Sequence, residues 1–134
     1  MERDPDTGSH RTILADLVLR PEPTEVARSR RVVGSVLDRH GCDRARDEVE
    51  LLVAELVANA VEHAADEVRV RVLIDHDHLR VEVADDGDGR PAVQDPDPLA
   101  EGGRGLRIVQ QLAVDWGVAV AAGRGKVVWA EPRC

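Results

Sequence analysis

The sequence predicts an α+β fold, a two-layer sandwich with helices on one face of a mixed, mostly antiparallel sheet. Two long segments in the first half, 24–41 and 43–64, carry apolar residues at helical spacing. Residues 67–85 then change to alternating apolar and charged residues, in two segments separated by a short turn. Helices mixed with hairpins in this order favour α+β over a doubly wound parallel sheet.

The first half of the chain is predicted to form a strand and two helices. A strand covers 11–20, and the PEP tripeptide after it ends the strand. We expect Thr24 to cap a helix that runs to about Gly41, and Asp43 to cap a second helix that ends near Ala64. The apolar arc of this second helix is wide enough for burial and consists of Val49, Leu52, Val53, Leu56, Val57 and Ala60.

Four further strands are predicted in two pairs. Segments 67–75 and 78–85 form the first pair, and 116–122 and 126–131 form the second. Arginine and glutamate alternate with the apolar residues of the first pair. We therefore expect one face of the sheet to meet water.

A long irregular segment separates the two strand pairs. Residues 86–103 are rich in glycine, proline and aspartate, and such length predicts a functional loop. A third main helix is expected from Arg104 to about Ala113. The chain then reads as a disordered tail, 1–10, followed by a single domain, 11–134.

Composition excludes several classes of function. Acidic residues outnumber basic ones, 26 to 18, for a formal net charge of −8. Such a surface repels nucleic-acid backbones and anionic lipids, so we expect no direct nucleic-acid binding and no membrane binding. The only aromatic residues, Trp116 and Trp129, are interpreted as core or sheet-packing residues.

The location is predicted to be cytoplasmic. No apolar run approaches the roughly 20 residues needed to cross a bilayer, and the polar start lacks the apolar core of a signal peptide. The chain has two cysteines, Cys42 and Cys134, which we interpret as reduced thiols.

The first candidate site is a polar line on the second helix. Glu55, Asn59 and His63 stand four residues apart beside the apolar arc. A carboxylate there can deprotonate a nucleophile, and an amide oxygen can bind Mg²⁺, which prefers oxygen ligands. The same line also fits the solvated edge of a helix.

The second candidate site follows an alternating strand. Asp85 ends that strand, and Gly87 and Gly89 follow it at spacing two. The aspartate is placed to accept a hydrogen bond from an exocyclic amine, and the glycines allow close approach of backbone. An acidic turn without a ligand is the alternative; the flanking helices and distant glutamate of a calcium loop are missing.

The third candidate site lies at the start of the third helix. Gly103 and Gly105 flank Arg104, and Leu106 begins the apolar pattern of the helix. Free N–H groups and the helix dipole at such a terminus favour an anion. A glycine-rich turn without a ligand is again the alternative.

Together the three sites match the parts of Mg·ATP. A cation-binding helix, a base-binding aspartate and a phosphate-binding helix start correspond to magnesium, adenine and triphosphate. The long loop is then expected to close over the nucleotide as a lid.

These residues also carry a family resemblance. They occur in the order Glu55 and Asn59, then Asp85-x-Gly87-x-Gly89, then Gly103-x-Gly105. This order resembles the N, G1 and G2 boxes of the Bergerat-fold (GHKL) ATPases, which include gyrase and histidine kinase ATP domains. The short chain and its last segment are most similar to the branch of anti-sigma-factor serine kinases and small bacterial ATP-binding regulators.

The resemblance implies a role for each matching residue. Glu55 would activate the attacking hydroxyl, and Asn59 would hold Mg²⁺. Asp85 would accept the adenine amino group, with Gly87 and Gly89 shaping the base pocket.

The remaining matches concern the phosphates. Gly103, Arg104 and Gly105 would contact them, and Leu106 would also belong to the ATP-binding residues. His63 would either line the nucleotide pocket or simply finish its helix.

The resemblance also implies an activity and partners. It implies an ATP-dependent serine/threonine protein kinase that phosphorylates a protein antagonist, of the anti-anti-sigma kind, and that also binds a sigma factor and forms a homodimer. No phosphoacceptor-helix domain is expected before residue 11, so autophosphorylation on histidine is not expected. The alternative is a non-catalytic switch, in which ATP binding alone sets the affinity for a partner.

Overall fold

A computed structural model describes residues 11–42, 45–76, 78–87, 109–120 and 125–132. Its elements, in chain order, are β1 (Thr12–Leu19), α1 (Thr24–Arg39), α2 (Arg46–His63), β2 (Val68–Asp75), β3 (His78–Asp85), β4 (Ala113–Val120) and β5 (Lys126–Pro132). The predicted α+β class is confirmed.

The strands form one sheet in the order β1-β2-β3-β5-β4. Every described pairing is antiparallel. The helix α2 packs on β2, β3 and β5, while α1 packs on β1 and α2. Both helices therefore lie on one face of the sheet, and β3 lies at its centre.

The core lies between the helices and the inner face of the sheet. All the apolar positions predicted for α2 are buried, as are Val70, Val72, Val81 and Val83 on the central strands. Side chains alternate along a strand, so Asp85 shares the inner side of β3 with Val81 and Val83. The core thus brings the polar line of α2 and the end of β3 to the same layer.

The predicted helix caps differ from the structure. Pro23 precedes α1 in helical conformation (φ −57°, ψ −30°), and no side chain caps the helix. Thr24 is therefore already inside the helix and lacks the extended backbone of a cap residue, so its assignment as cap is wrong. Ala45 precedes α2 without a side-chain cap, and Asp43 lies outside the described residues.

The second strand pair begins earlier than predicted. Residues 109–112 are helical, and β4 starts at Ala113 rather than at Trp116. A register shift near Asp115 lets the added residues pair with the end of β5. Val109 is completely buried in the core. Most of the predicted loop and the start of the third helix lie outside the described residues.

The outer face of the sheet is less solvated than expected. Arg80 and Glu82 of β3 are 2% and 7% exposed. The Arg80 guanidinium donates to Glu82 at 2.9 Å and to Glu131 at 3.2 Å, and it lies 4.1 Å from the ring centroid of Trp129. The charged side chains of β3 are therefore covered by Trp129 and Glu131 of β5, and the prediction that this face meets water is wrong there.

The indole of Trp129 needs a glycine on the neighbouring strand. A Cβ built on Gly117 would lie 2.8 Å from the indole ring. Trp129 is thus a sheet-packing residue, as predicted, and it covers the outer side of β4.

Two smaller predictions concern the thiols and the membrane. Cys42 is buried and disulfide-bonded, so its assignment as a reduced thiol is wrong; cysteines so far apart in sequence give no signal of pairing. Cys134 lies outside the described residues. Within the described ranges, neither helix is long and apolar enough to cross a membrane.

Candidate nucleotide-binding site

The polar line of α2 follows the edge of its buried face. Glu55 and Asn59 are partly buried, and His63 is exposed at the last position of the helix. Their neighbours Leu56 and Ala60 are buried in the core. Glu55 and Asn59 thus present a carboxylate and an amide, one turn apart, at the boundary between core and solvent.

Asp85 ends β3 as a buried, doubly hydrogen-bonded carboxylate. It is 6% exposed. Its Oδ1 atom accepts a hydrogen bond from the backbone N–H of Gly87 at 3.0 Å, and Oδ2 accepts one from the Lys126 ammonium at 2.7 Å. A carboxylate oxygen has room for a second donor, so a ligand amine can still be accepted.

The sequence interpretation missed Lys126. This residue is the first of β5 and lies directly opposite Asp85 in the register. The signal was present, since the KVVWAE strand begins with a lysine at a core-facing position. The pairing of β3 with β5 could not be read from sequence, because long-range strand order is not local information.

Gly87 joins the aspartate turn to the end of α2. A Cβ on this residue would overlap the backbone carbonyl of His63. The turn after β3 therefore approaches the C-terminal end of α2 more closely than any side chain allows. The first and second candidate sites are brought together at this point.

Asp86 fixes the same junction from the other side. Its carboxylate accepts hydrogen bonds from the backbone N–H groups of Ala65 and Asp66 at 2.9 Å and of Glu67 at 3.1 Å. These bonds, with that from Asp66 the strongest, hold the pKa of Asp86 below its usual range. The sequence interpretation gave this residue no role. In the structure its carboxylate holds the end of β3 to the connection between α2 and β2 by hydrogen bonds.

The third candidate site, and Gly89 of the second, are not tested by the structure. Gly89, Gly103, Arg104, Gly105 and Leu106 all lie outside the described residues. Their assignment to the base pocket and the phosphates stays a prediction.

A cavity of about 190 Å³ opens at the end of the central strands. Asp85, Gly125, Lys126 and Val120 are among its lining residues. A larger cavity of about 280 Å³ lies on the outer face of the sheet, beside Arg80. No residue of the three motifs lines that larger cavity. The smaller cavity is lined by one motif residue, Asp85; its Ala84, Ala119 and Val127 form a row on the outer face, and no described residue of α2 lines it.

Magnesium fits this site only as an ion whose ligands come partly from the protein and partly from water and nucleotide phosphates. No group of three acidic, histidine or cysteine side chains within the described ranges is arranged to hold a metal. Magnesium usually keeps several waters and takes other ligands from substrate phosphates. The partly buried amide oxygen of Asn59 is compatible with one protein ligand in such a set.

Comparison with known families identifies the class of protein. Residues 19–131 match the family of the histidine kinase-like ATPase domain. The match covers most of the chain, and the chain belongs to this family. Membership makes it a GHKL ATPase domain with the coarse function of binding ATP, as the motifs predicted.

One solved structure supports the same fold. The chain is similar to the histidine kinase domain of the blue-light activated histidine kinase of Erythrobacter litoralis EL346, with 24% sequence identity and a TM-score of 0.53. The similarity covers 85% of this chain and 61% of that domain. The chain thus spans under two thirds of the domain it matches, and the likeness concerns the fold alone. No match was found among curated proteins.

Proposed function

We propose that the protein is an ATP-dependent regulator that phosphorylates a serine or threonine of a protein antagonist. The observation that carries the proposal is the joining of two motifs at the contact of Gly87 with the end of α2. This contact joins the turn after Asp85 to the end of the helix that carries Glu55 and Asn59, which supports assigning them to one site.

The proposed reaction is a direct transfer from Mg·ATP. The hydroxyl oxygen of the acceptor forms a bond to the γ-phosphorus, and the bond from that phosphorus to the bridging oxygen of ADP breaks. Glu55 takes the hydroxyl proton, and ADP leaves with the bond's electron pair. Catalysis of this kind depends on positioning and charge neutralisation.

Each residue of α2 has one part in this scheme. Glu55 is partly solvent-accessible, so its carboxylate can reach a hydroxyl supplied by another protein. Asn59 would hold a magnesium ion, which would supply charge neutralisation for the phosphates. His63 is exposed at the helix end, which supports the reading that it finishes α2.

The proposed partners follow from the family resemblance. They are a small antagonist of the anti-anti-sigma kind, a sigma factor, and a second copy of this chain in a homodimer. The proposed location is the cytoplasm, where ATP is available. The bonded Cys42 argues against that location, because disulfides are rare there.

The second candidate function is a non-catalytic switch, in which ATP binding alone sets partner affinity. The observation that favours it is the absence, within the described ranges, of any hydrogen bond that orients Glu55. Glu55→Gln separates the two functions. Under the kinase proposal this variant binds ATP normally and transfers no labelled phosphate to a captured antagonist.

The matched control is Glu62→Gln, an exposed glutamate on the same helix seven residues later. It should transfer phosphate as the wild-type chain does. If no partner acquires labelled phosphate and the Glu55→Gln variant still regulates its partner normally, the non-catalytic switch is supported. If the wild-type chain does not bind Mg·ATP in calorimetry, both functions are contradicted. The remaining interpretation is then a protein-interaction domain that binds no nucleotide.

A further inference from the structure

Lys126 is a buried lysine at the base-binding end of the site with no role in the scheme above. Its ammonium lies 2.7 Å from the Asp85 carboxylate, and the side chains of both residues are 2% exposed. The cavity at the end of the central strands is lined by both. Because the ammonium contacts the Asp85 carboxylate directly, it lies beside any donor group that this carboxylate accepts.

The backbone fixes Lys126 in this place. It pairs directly with Asp85 in the antiparallel register of β3 and β5. The preceding residue, Gly125, has φ +87°, and a Cβ there would overlap the backbone carbonyl of Asp85. A glycine is thus required for β5 to begin this close to the end of β3.

The Lys126 ammonium has N–H donors that its hydrogen bond with Asp85 does not use. It carries three N–H bonds, and Asp85 accepts one of them. Among the described residues no second acceptor contacts it. A buried ammonium with unused donors is costly unless an acceptor arrives.

We propose that Lys126 is a second base-reading residue, which donates a hydrogen bond to the ring nitrogen next to the amine that Asp85 accepts. Adenine presents an amine donor beside a ring-nitrogen acceptor on this edge. Asp85 and Lys126 present an acceptor beside a donor, which is the complementary pair. The inference rests on the proposed binding of the base at Asp85 and deepens it.

Charge compensation gives the pair a further effect on binding. A buried carboxylate without a partner carries a large desolvation cost, and Lys126 compensates that charge before the nucleotide arrives. The base therefore meets an acceptor and a donor that already hold each other in place, which lowers the ordering cost of binding.

The test is calorimetry of the wild-type chain with three nucleotides. They are ATP, 1-deaza-ATP, which lacks the ring nitrogen beside the amine, and 3-deaza-ATP, which lacks a ring nitrogen on the other side. We expect 1-deaza-ATP to bind about tenfold more weakly than ATP, and 3-deaza-ATP to bind like ATP. Equal affinities for ATP and 1-deaza-ATP would overturn the inference.

The variant Lys126→Met tests whether Lys126 itself, rather than a bridging water, donates the hydrogen bond to the ring nitrogen. It removes the donor, so it should bind ATP and 1-deaza-ATP with equal, reduced affinity. If the variant still prefers ATP about tenfold, another group reads the ring nitrogen and the inference is wrong.

A second measurement does not depend on this variant folding. The ¹⁵Nζ resonance of Lys126 in the wild-type chain should shift on adding ATP and much less on adding 1-deaza-ATP at matched saturation. Equal shifts would overturn the inference. No binding of any of the three nucleotides would instead contradict the proposed function itself, so the two failures are distinguishable.

Discussion

The backbone carbonyl of His63 lies against Gly87, with no space between them for a side chain. His63 ends α2, and Gly87 lies in the turn after β3. At this contact the segment that follows Asp85 meets the end of the helix that carries Glu55 and Asn59. Predictions about stability and binding follow from it and from the groups around it.

Gly87→Ala should weaken both folding and ATP binding. The added methyl group meets a backbone carbonyl, which cannot move without shifting α2 or the turn. We expect a loss of about 1–3 kcal/mol in the free energy of unfolding, measured with urea. ATP affinity, measured by calorimetry, should fall in the same variant.

The control for that variant is Gly34→Ala in α1. There the added methyl group meets chiefly the end of the Glu50 side chain, which can move aside. Alanine also favours a helix more than glycine does. Unchanged ATP affinity is expected, and a Gly87→Ala variant as stable and as active in binding as this control would contradict the account.

Asp86→Ala should destabilise the protein without changing the Asp85 carboxylate. The change removes the acceptor for three backbone N–H groups between α2 and β2. The expected cost is about 1–2 kcal/mol, similar to the loss of a helix cap. Urea denaturation measures it, and an unchanged midpoint would show that water replaces the carboxylate without loss.

The stability of the protein should fall at acid pH. Backbone hydrogen bonds from Asp66 and its neighbours lower the pKa of Asp86, and the hydrogen bond from Arg69 lowers the pKa of Asp16. A pKa that is lower in the folded state contributes stability that is present above the unfolded value, about 4. It is lost as the pH falls through the folded value.

Urea midpoints measured from pH 7 down to pH 2 should therefore decline below about pH 4. Asp86→Asn keeps an acceptor oxygen but has no proton to bind, so it should flatten part of that decline. If the urea midpoint of Asp86→Asn falls with pH as that of the wild-type chain does, Asp86 does not contribute to the decline.

Arg80→Met should be strongly destabilising. The change leaves the buried carboxylate of Glu82 without its cation, removes the ion pair with Glu131, and removes the guanidinium stacked on Trp129. We expect a loss of about 3–5 kcal/mol in the free energy of unfolding. Urea unfolding followed by tryptophan fluorescence measures it.

Arg31→Met is the matched control. Arg31 is exposed on α1 and makes no described ion pair. Its replacement should change stability by less than about 0.5 kcal/mol. Similar losses for both variants would mean that the outer face of the sheet is solvated after all.

Local patterns in the sequence predicted much of the fold. The apolar arc of α2 and the alternation in β3 gave these elements correctly, because helical and strand periods are local signals. The position of Asp85 at a strand end followed from the same alternation. The sequence predicted that the helix motif and the aspartate motif share one pocket, but it did not predict the specific contact between Gly87 and α2.

The features that were missed depend on long-range contacts. Lys126 meets Asp85 because β5 inserts between β3 and β4. Arg80 is buried because Trp129 and Glu131 come from that same strand. Neither relationship is visible in a window of sequence, since both require the strand order of the sheet.

The most direct test of the central claim is a structure of the protein with magnesium and a non-hydrolysable ATP analogue. We predict one nucleotide with its base amine on Asp85 and its metal ion on Asn59. A nucleotide bound elsewhere, or a base and a metal on separate surfaces, would contradict it.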